Sequence, residues 1–423
     1  MPAVRVLLLG GGGREHAIAW KLSQSPRLSK LWAAPGSDAI AASAEHVSLD
    51  PLDPDAVARF VRDNKVELVF VGPEAPLAAG SSDAARAAGA LVFGPSRLAS
   101  QLETSKAFAK DFMARYRVPA AKSHACSSPA DAKAAARGFQ GRCAVKADGP
   151  AAGKGVVVCG SVEEADLAVD ALAATPAGRV LVVEERLEGP ELTVMLLVDG
   201  RGCAVLPLSQ DHKRLRDGDA GPNTGGMGAL SPAPLGPADW AKIEKDIIAP
   251  TLAGLSRDGI DYRGALYVGV MLTQDGPKVL EYNARFGDPE TQAVLPLLNA
   301  DLLALAADCA AGKLVPGHLP AHPGACVCVT LASPGYPEAP RTGAALDLAG
   351  ADGLAVVLIF HAGTQKTATG WAAAGGRVLT VVGRGADLAA ARVRAYAAVE
   401  RLKIPGLHYR RDIAAKALGR VLA

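Results

Sequence analysis

A glycine-rich segment between two apolar runs, AVKADGPAAGKGVVV at residues 144–158, constrains the fold of this chain most strongly. A P-loop has four residues between its two glycines, followed by a lysine and a hydroxyl residue that open a helix. Here only three residues separate Gly149 from Gly153, a glycine follows Lys154, and a β-branched run comes next. The segment therefore predicts a β-hairpin, with Lys146 on its first strand and Lys154 at a tip that folds over phosphates. A solvated surface turn is the alternative.

The first hundred residues alternate short apolar segments with alanine-rich amphipathic stretches. The apolar segments are Val4 to Leu9, Leu31 to Ala34, Glu67 to Val71 and Leu91 to Phe93. This alternation predicts a parallel, doubly wound α/β sheet. From Ala120 onward strands follow each other closely, and a proline- and glycine-bearing stretch at 314–324 predicts a linker. We expect a multi-domain α/β and α+β chain divided into residues 1–104, 105–312 and 325–423, the last a small α+β domain.

A second glycine-rich turn, Gly10-Gly11-Gly12-Gly13-Arg14-Glu15-His16, follows the first predicted strand and opens a helix. Glycines let a backbone approach a ligand closely, and a helix N-terminus favours an anion such as phosphate. A dinucleotide fingerprint needs Gly or Ala at its last position, where this chain has Glu15 or His16. The turn indicates an anion site and disfavours a nicotinamide enzyme, with a tight turn that binds nothing as the alternative.

The segment KVLEYNARFGDPET at residues 278–291 predicts a metal site. On a strand, Glu281 and Asn283 point to one face, while Leu280 and Tyr282 point to the other. Two hard oxygen ligands suit Mg²⁺, which completes its shell with water and nucleotide phosphates. Arg285 continues along the same face, where it could neutralise charge on a transferring phosphoryl group. A strand end with a solvated acid and a capping asparagine is the alternative.

The segment SQDHKR at residues 209–214 leads into a glycine-rich stretch, PNTGGMG at residues 222–228. Charge, polar donors and glycines together indicate a loop that faces a substrate, with a mobile surface loop as the alternative.

Composition excludes several classes of partner. Basic residues number 45 and acidic residues 43, a formal net charge of +2, so no global electrostatic argument favours a nucleic acid. No apolar run approaches the ~20 residues that a membrane helix needs. The opening VRVLLLG is too short to span a membrane and lacks a cleavage site, so it indicates a strand. We expect no nucleic-acid partner, no membrane association and a cytoplasmic location.

These segments, in this order, resemble the ATP-grasp family and, within it, the glycinamide ribonucleotide synthetases. The matching motifs span essentially the whole chain: GGREHA, VGPEAPL, SKAFAKDF, KADG, AGKGV, SQDHKR, GPNTGGMGA, NARFGDPETQ, YPE, FHAGT and GGRVL. The resemblance implies an ATP-grasp domain at 105–312 with a mobile lid at about 120–188, after a Rossmann-like domain. It also implies ATP-dependent ligation of glycine to 5-phospho-D-ribosylamine through glycyl phosphate, giving glycinamide ribonucleotide, ADP and phosphate. This reaction is the second step of de novo purine (IMP) biosynthesis.

The resemblance also implies roles for individual residues. The nucleotide would contact Lys106, Lys146, Gly153, Lys154, Gly155, Glu184, Glu185, Leu187 and Glu191. The metal, Mg²⁺ or Mn²⁺, would be held by Glu281 and Asn283. The two other substrates would contact Gly10, Gly12, Gly13, Arg14, Glu15, Glu74, Asp211, Lys213, Asn223, Thr224, Gly225, Gly226 and Arg285. Direct catalytic roles would fall to Lys154, Asn223 and Arg285.

Two departures from the family pattern bear on the site. Pro150 and Pro190 stand where we expect Leu and an acidic residue, and a proline in the phosphate loop removes one N–H donor, which puts ATP affinity in question. Residues 266–272 carry no carboxylate, although many relatives place one on the strand before the metal strand, so we expect a thinner metal shell with more water.

Other functions and assemblies stay open on the sequence. The alternatives are another ATP-grasp enzyme, such as a formate-dependent purine transformylase or a carboxylase, a Rossmann-type dehydrogenase, and a nucleotide-sensing protein without catalysis. We expect a monomer, with a dimer as the alternative, and a transient contact with the enzyme that makes phosphoribosylamine.

Overall fold

The computed structural model describes residues 3–149, 155–351 and 354–421. The N-terminal part contains strands β1 (Val4–Gly10), β2 (Leu28–Pro35), β3 (Glu45–His46), β4 (Leu68–Val71) and β5 (Leu91–Phe93), with helices α1 (Gly13–Leu22), α2 (Pro54–Asp63), α3 (Glu74–Ala79) and α4 (Ser81–Ala87). The strands form one parallel sheet, the N-terminal sheet, in the order β3-β2-β1-β4-β5. Strand β1 is almost wholly apolar and buried because it lies at the centre of a sheet covered on both faces. The predicted doubly wound sheet is confirmed.

The next part forms a separate small sheet. It contains helices α5 (Gln101–Thr104) and α6 (Lys106–Arg115), strand β6 (Ser123–Cys126), helix α7 (Pro129–Gly138), strands β7 (Cys143–Ala147) and β8 (Val156–Val158), helix α8 (Val162–Ala173) and strand β9 (Leu181–Glu185). The strands form an antiparallel sheet, the lid sheet, in the order β6-β9-β7-β8. Strands β7 and β8 pair as Lys146 with Val156, so the predicted hairpin is confirmed, while its tip at 150–154 lies outside the described residues.

The middle of the chain builds the central sheet. Its elements are β10 (Glu191–Asp199), β11 (Cys203–Val205), β12 (Gln210–Asp211), β13 (Arg214–Arg216), β14 (Ala220–Asn223), β15 (Gly228–Ser231), α9 (Pro237–Lys242), a π-helical segment (Ile243–Ile248), α10 (Ala249–Arg257), β16 (Arg263–Thr273), β17 (Gly276–Asn283), α11 (Glu290–Val294), α12 (Leu302–Ala311) and β18 (Gly317–His318). The central sheet has the order β17-β16-β10-β11-β18. Helix α12 begins where the Asp301 side chain caps two backbone N–H groups and ends at Gly312, whose φ is 69°.

The last part contains strands β19 (Ala325–Ala332), β20 (Ala345–Leu346), β21 (Val357–His361), β22 (Thr364–Thr367), β23 (Gly370–Ala373) and β24 (Arg377–Gly385), with helices α13 (Leu388–Val399) and α14 (Ala415–Val421). The C-terminal sheet has the order β12-β15-β19-β24-β21, and a smaller sheet has the order β20-β23-β22. Two strands from residues 210–231 therefore complete a sheet otherwise built from residues 325–385. One buried apolar cluster joins both regions, from Leu266 on β16 to Val329 on β19.

Short 3-10 turns occur at Ile40–Ala42, Pro176–Arg179, Asp217–Asp219 and Ala349–Ala351. In the part of the chain that the structure describes, no helix combines the length and apolar character needed to traverse a lipid bilayer.

Candidate active site

A cavity of about 610 Å³ opens where the lid, central, N-terminal and C-terminal sheets converge. Its wall includes many of the residues that the sequence singled out: Arg14, Glu74, Lys106, Lys146, Gly155, Glu184, Asp211, Lys213, Asn223, Thr224, Gly225, Glu281, Asn283 and Arg285. A concave site of this size with convergent charged groups is typical of a small-molecule site. We call its two halves the lid end, around Lys106, Lys146 and Glu184, and the junction end, around Arg285 and Lys213.

The lid end places two ammonium groups on one carboxylate and a third on backbone carbonyls nearby. Lys146 Nζ lies 3.0 Å from Glu184 Oε1, and Lys110 Nζ lies 2.9 Å from Glu184 Oε2. Lys106 Nζ donates to the carbonyls of Ala147 at 2.8 Å and Gly149 at 3.2 Å. Burial lowers the pKa of Lys106 and of Lys110. Three lysine ammonium groups close together at one end of a cavity would favour a polyanion such as a nucleotide phosphate chain.

Strand β17 carries the predicted metal ligands. Glu281 Oε1 accepts from Lys213 Nζ at 3.2 Å, and Asn283 Oδ1 accepts from Arg285 Nη2 at 3.1 Å. The Lys213 charge lowers the pKa of Glu281 to about 2 although burial opposes this, so Glu281 is ionised at neutral pH. In the described residues, no set of three or more His, Cys, Asp or Glu side chains is arranged to hold a metal ion. The protein therefore offers one carboxylate and one amide oxygen.

A bulge changes one sequence prediction about β17. The pairing with β16 passes from Gly269 and Glu281 to Val270 and Val279, so Leu280 is an extra residue. We expected Leu280 to face away from Glu281, which is wrong because the bulge interrupts the alternation and places both on the cavity wall. The Leu280 carbonyl lies 3.4 Å from Lys146 Nζ and accepts its hydrogen bond. The lid hairpin and the predicted metal strand therefore face each other across one cavity.

Arg285 is held between two carboxylates at the junction end. Its Nη2 lies 2.9 Å from Glu103 Oε1, and its Nε lies 3.5 Å from Glu74 Oε2. Glu103 also accepts from the Ala284 backbone N–H at 2.7 Å. Burial raises the pKa of Glu103, whereas the pKa of Glu74 is lowered, since Arg285 and Arg14 outweigh the opposing effect of its burial. These contacts fix the guanidinium beside the Asn283 amide.

The N-terminal glycine turn contributes only Arg14 to the cavity wall. Glu15 folds back, where its Oε2 accepts from the Gly12 N–H at 2.7 Å and its Oε1 lies 2.6 Å from Arg14 Nε. Gly10 has a φ of 123°, and a Cβ there would collide with the Glu15 side chain. Gly10, Gly12, Gly13 and Glu15, which the sequence analysis assigned to the substrates, do not line this cavity, and their assignment stays a prediction. They shape the turn that presents Arg14.

The loop between β12 and β15 supplies a second group of charges. Lys213 Nζ lies 3.5 Å from Glu191 Oε2 in addition to its contact with Glu281. Burial opposes its charge, but Glu281 and the other nearby acidic groups raise the pKa of Lys213 well above its usual value. Burial and Glu290 raise the pKa of Asp211. Gly226 lies behind the wall, where its φ of 112° and its approach to Pro289 and Asp211 require glycine.

Other predicted nucleotide contacts lie off the wall. Glu185 accepts from the Lys122 N–H at 3.1 Å and lies 3.8 Å from Lys278 Nζ. Leu187 is half-buried beyond the end of β9, and Glu191 reaches the site only through Lys213. Gly153 and Lys154 lie outside the described residues.

Several cavity residues were not predicted from the sequence: Glu103, Lys110, Tyr267, Asp288, Glu290, Tyr336 and Arg377. Arg377 Nη2 lies 3.1 Å from Asp288 Oδ2, and Arg377 also donates to the Asp288 and Gly225 carbonyls. Tyr336 Oη accepts from the Gly225 N–H at 2.9 Å. The motifs quoted above contain four of these residues, Asp288, Glu290, Tyr336 and Arg377, so the resemblance offered a signal for them. No local sequence feature indicated that their side chains face the site.

Comparison with known proteins supplies a family for this geometry. The chain matches the family models described as phosphoribosylglycinamide synthetase N domain over residues 4–103, ATP-grasp (A) domain over 104–291 and C domain over 326–416. A relative from Rhodopirellula baltica is named phosphoribosylamine–glycine ligase. It is 45% identical over an alignment of 434 positions, gaps included, which covers 99% of each chain.

Solved structures agree with the family match. The crystal structure of the phosphoribosylamine–glycine ligase from Thermotoga maritima has a TM-score of 0.84 and 33% identity, covering 97% of this chain and 100% of that one. The biotin carboxylase domain of a Hydrogenobacter thermophilus 2-oxoglutarate carboxylase has a TM-score of 0.75 at 16% identity, covering 97% and 92% of the two chains. The latter likeness concerns the fold alone.

Proposed function

This chain belongs to the phosphoribosylglycinamide synthetase family, and we propose that it ligates glycine to 5-phosphoribosylamine with ATP. The products are glycinamide ribonucleotide, ADP and phosphate, and the reaction is a step of purine biosynthesis. One observation supports this function above the others. The lid lysine Lys146 and the strand that carries Glu281 and Asn283 face each other across a single cavity, as clamping a nucleotide requires.

In the proposed mechanism, ATP phosphorylates the glycine carboxylate, giving glycyl phosphate and ADP. The amine of phosphoribosylamine then attacks the acyl carbon, phosphate leaves and an amide forms. No protein nucleophile is needed, so catalysis consists of positioning and neutralising charge. We assign direct roles to Arg285, Asn223 and Lys154, the last on sequence grounds because it lies outside the described residues. Lys106, Lys146 and Glu184 would contact the nucleotide.

Glu281 and Asn283 would hold a divalent cation, Mg²⁺ or Mn²⁺. The donor set fits, because one ionised carboxylate and one amide oxygen are hard ligands, and Mg²⁺ commonly takes few protein ligands beside phosphates and water. When bound, the cation would neutralise charge on the phosphoryl group being transferred. Lys213 and Arg285, which now contact these two oxygens, would turn toward the anionic substrates.

The lid sheet would close over the nucleotide to exclude water, since an acyl phosphate that meets water is hydrolysed. We further propose domain boundaries at 1–104, 105–312 and 325–423, with the lid at about 120–188. We propose a cytoplasmic location and a monomer, with a dimer as the alternative. We also propose a transient contact with the enzyme that makes phosphoribosylamine, because this substrate is unstable.

The function is tested with enzymatically generated phosphoribosylamine, glycine and Mg-ATP. We expect equal release of ADP, phosphate and the amide product, with each depending on both glycine and the amine. Replacing glycine by formate or bicarbonate separates other ATP-grasp activities. Turnover with either substitute, nucleotide binding without turnover, or binding of a nicotinamide cofactor in place of ATP would contradict the proposal.

A further inference from the structure

A β-hairpin of β13 and β14 carries two cavity residues at its base. Lys213 directly precedes β13, and Asn223 ends β14, where it pairs with Arg214. The Thr224 N–H donates to the Lys213 carbonyl at 2.8 Å and closes the base. The opposite end of the hairpin, residues 216–221, is exposed. A two-stranded hairpin is marginally stable by itself, so we expect the order of this one, including its base, to depend on the contacts that hold it.

A fully buried arginine from the end of the chain holds this hairpin. Arg410 is 0% exposed, and its Nη1 lies 2.8 Å from Asp219 Oδ1 and 3.1 Å from the Arg214 carbonyl. Its Nε and Nη2 donate to the two Asp412 oxygens at 2.8 and 2.7 Å, a bidentate pair. Asp412 also accepts from the Gly218 N–H at 2.9 Å. One guanidinium thus joins strand β13 and the turn of the hairpin to the C-terminal segment.

The residues around Arg410 extend this contact along the hairpin. His408 Nε2 lies 2.8 Å from the Leu215 carbonyl, and the Arg411 N–H donates to Asp217 Oδ1 at 2.7 Å. Residues 408–412 therefore bond to hairpin positions 214, 215, 217, 218 and 219. Burying the Arg410 charge is a costly way to gain stability, and specifying one arrangement is the best-attested use of a buried charge.

We propose that Arg410 is a positioning residue that holds Lys213 and Asn223 in place for glycine and phosphoribosylamine by clamping the β13–β14 hairpin from the C-terminal segment. The inference rests on the proposed function, because the hairpin base belongs to that cavity. Within the described part of the chain, the hydrogen bonds of the Arg410 side chain reach Arg214, Asp219 and Asp412, none of which lines the cavity. Arg410 is bonded to the Arg214 carbonyl, one residue from Lys213 and opposite Asn223. No lid-end residue takes part in this contact, so we expect nucleotide binding to be unchanged when the contact is lost.

The test compares Arg410→Gln with Lys416→Gln in the full chain. Lys416 also pairs with Asp219, but its side chain is 58% exposed, and an exposed pair contributes little. We expect Arg410→Gln to raise the KM for glycine or phosphoribosylamine about 10-fold or more, since small misplacements at a site are costly, while the KM for ATP stays within about twofold. Hydrogen exchange of residues 213–223 should accelerate in Arg410→Gln and stay unchanged in Lys416→Gln.

Each outcome decides the proposal. Unchanged substrate KM values, or equal rises in the KM values of ATP and the other substrates, would overturn it in favour of a merely structural arginine. Should Arg410→Gln fail to fold, Asp219→Asn replaces it, and a substrate KM that does not rise by about threefold overturns the proposal instead. A wild-type chain without glycine-dependent turnover would refute the proposed function, whereas the hydrogen-exchange comparison would still report on the clamp itself.

Discussion

The two ends of the cavity hold their charges in different ways. At the lid end, Lys146 and Glu184 both belong to the lid sheet, and Lys110 comes from the adjacent helix α6. At the junction end, partners come from separate parts of the chain. Arg285 follows β17 and contacts Glu103 of α5, and Arg377 of β24 contacts Asp288. The pairing at the lid end therefore depends on one small sheet and its adjacent helix, whereas the pairing at the junction end depends on how separate parts of the chain pack.

This difference indicates a division of labour. The lid lysines neutralise one buried carboxylate and can exchange it for phosphate when a nucleotide enters. At the junction end, contacts between separate parts of the chain hold Lys213 and Arg285 close to where charge would develop during transfer, so only their side chains need to turn toward the substrates. Variants at the junction should lower kcat or raise the KM of glycine and the amine, whereas variants at the lid should act on ATP.

The largest effect is expected where the two ends meet, at Glu281. Glu281→Ala removes the one charged ligand offered to the metal and frees Lys213 from its closest carboxylate. We expect glycine-dependent ADP release to fall about 10²–10³-fold, as it does when a charge-stabilising group is removed elsewhere. Asp275→Asn, 83% exposed at the far end of the β16–β17 hairpin, should leave turnover unchanged. Near-normal turnover in Glu281→Ala would remove Glu281 from the site.

A smaller effect is expected at the junction end from Glu103→Gln. The substitution keeps the shape and the acceptor for the Ala284 N–H but removes the charge that holds Arg285. We expect kcat to fall about 10-fold, with the KM for ATP within about twofold, because misorientation of a charged group slows the chemical step. Glu45→Gln, in the exposed Lys30–Glu45 pair, is the matched control. A rise confined to the KM for ATP would contradict the division between the two ends.

At the lid end, Lys110→Met leaves Lys146 as the cationic partner of Glu184 that remains among the described residues. Lys146 would then be held more firmly by Glu184 and be less free to bind phosphate. We expect the KM for ATP to rise about fivefold and the KM for glycine to stay unchanged. Lys133→Met, which breaks the surface pair with Asp170 on the same subdomain, serves as the control. Steady-state kinetics with each substrate varied in turn would show whether the effect crosses to the junction end.

The sequence predicted what depends on local order and missed what depends on distant contacts. The N-terminal sheet and the lid hairpin follow from alternating apolar segments and glycine placement, both of which are local signals. The pairing of Glu103 with Arg285, and of Arg377 with Asp288, joins residues far apart in the chain and depends on how sheets pack. Glu15 is different, because its carboxylate accepts from the Gly12 N–H only three residues away, a local contact that the sequence analysis did not predict. The bulge at Leu280, by contrast, arises from pairing with β16.

Acid should loosen the junction end first. His361 donates its backbone N–H to His16 Nδ1 at 2.9 Å, which joins α1 to β21 behind the turn that presents Arg14. Burial lowers the pKa of both histidines to about 4, with a further contribution from His361 at His16, whereas the unfolded chain takes up these protons near pH 6.5. The folded state therefore binds fewer protons between these values, so stability is full above pH 6.5 and falls toward pH 4.

The expected loss in the free energy of unfolding is about 1 kcal/mol per pH unit for each histidine. Thermal unfolding between pH 8 and pH 5 measures it. His16→Gln should make the pH dependence less steep, because its own proton uptake is lost while that of His361 remains, whereas exposed His318→Gln should leave the dependence as it was. Hydrogen exchange at pH 5 should accelerate in α1 before it does in the lid strands β7 and β9. An earlier loosening of the lid would place the acid-sensitive contact at the opposite end of the cavity.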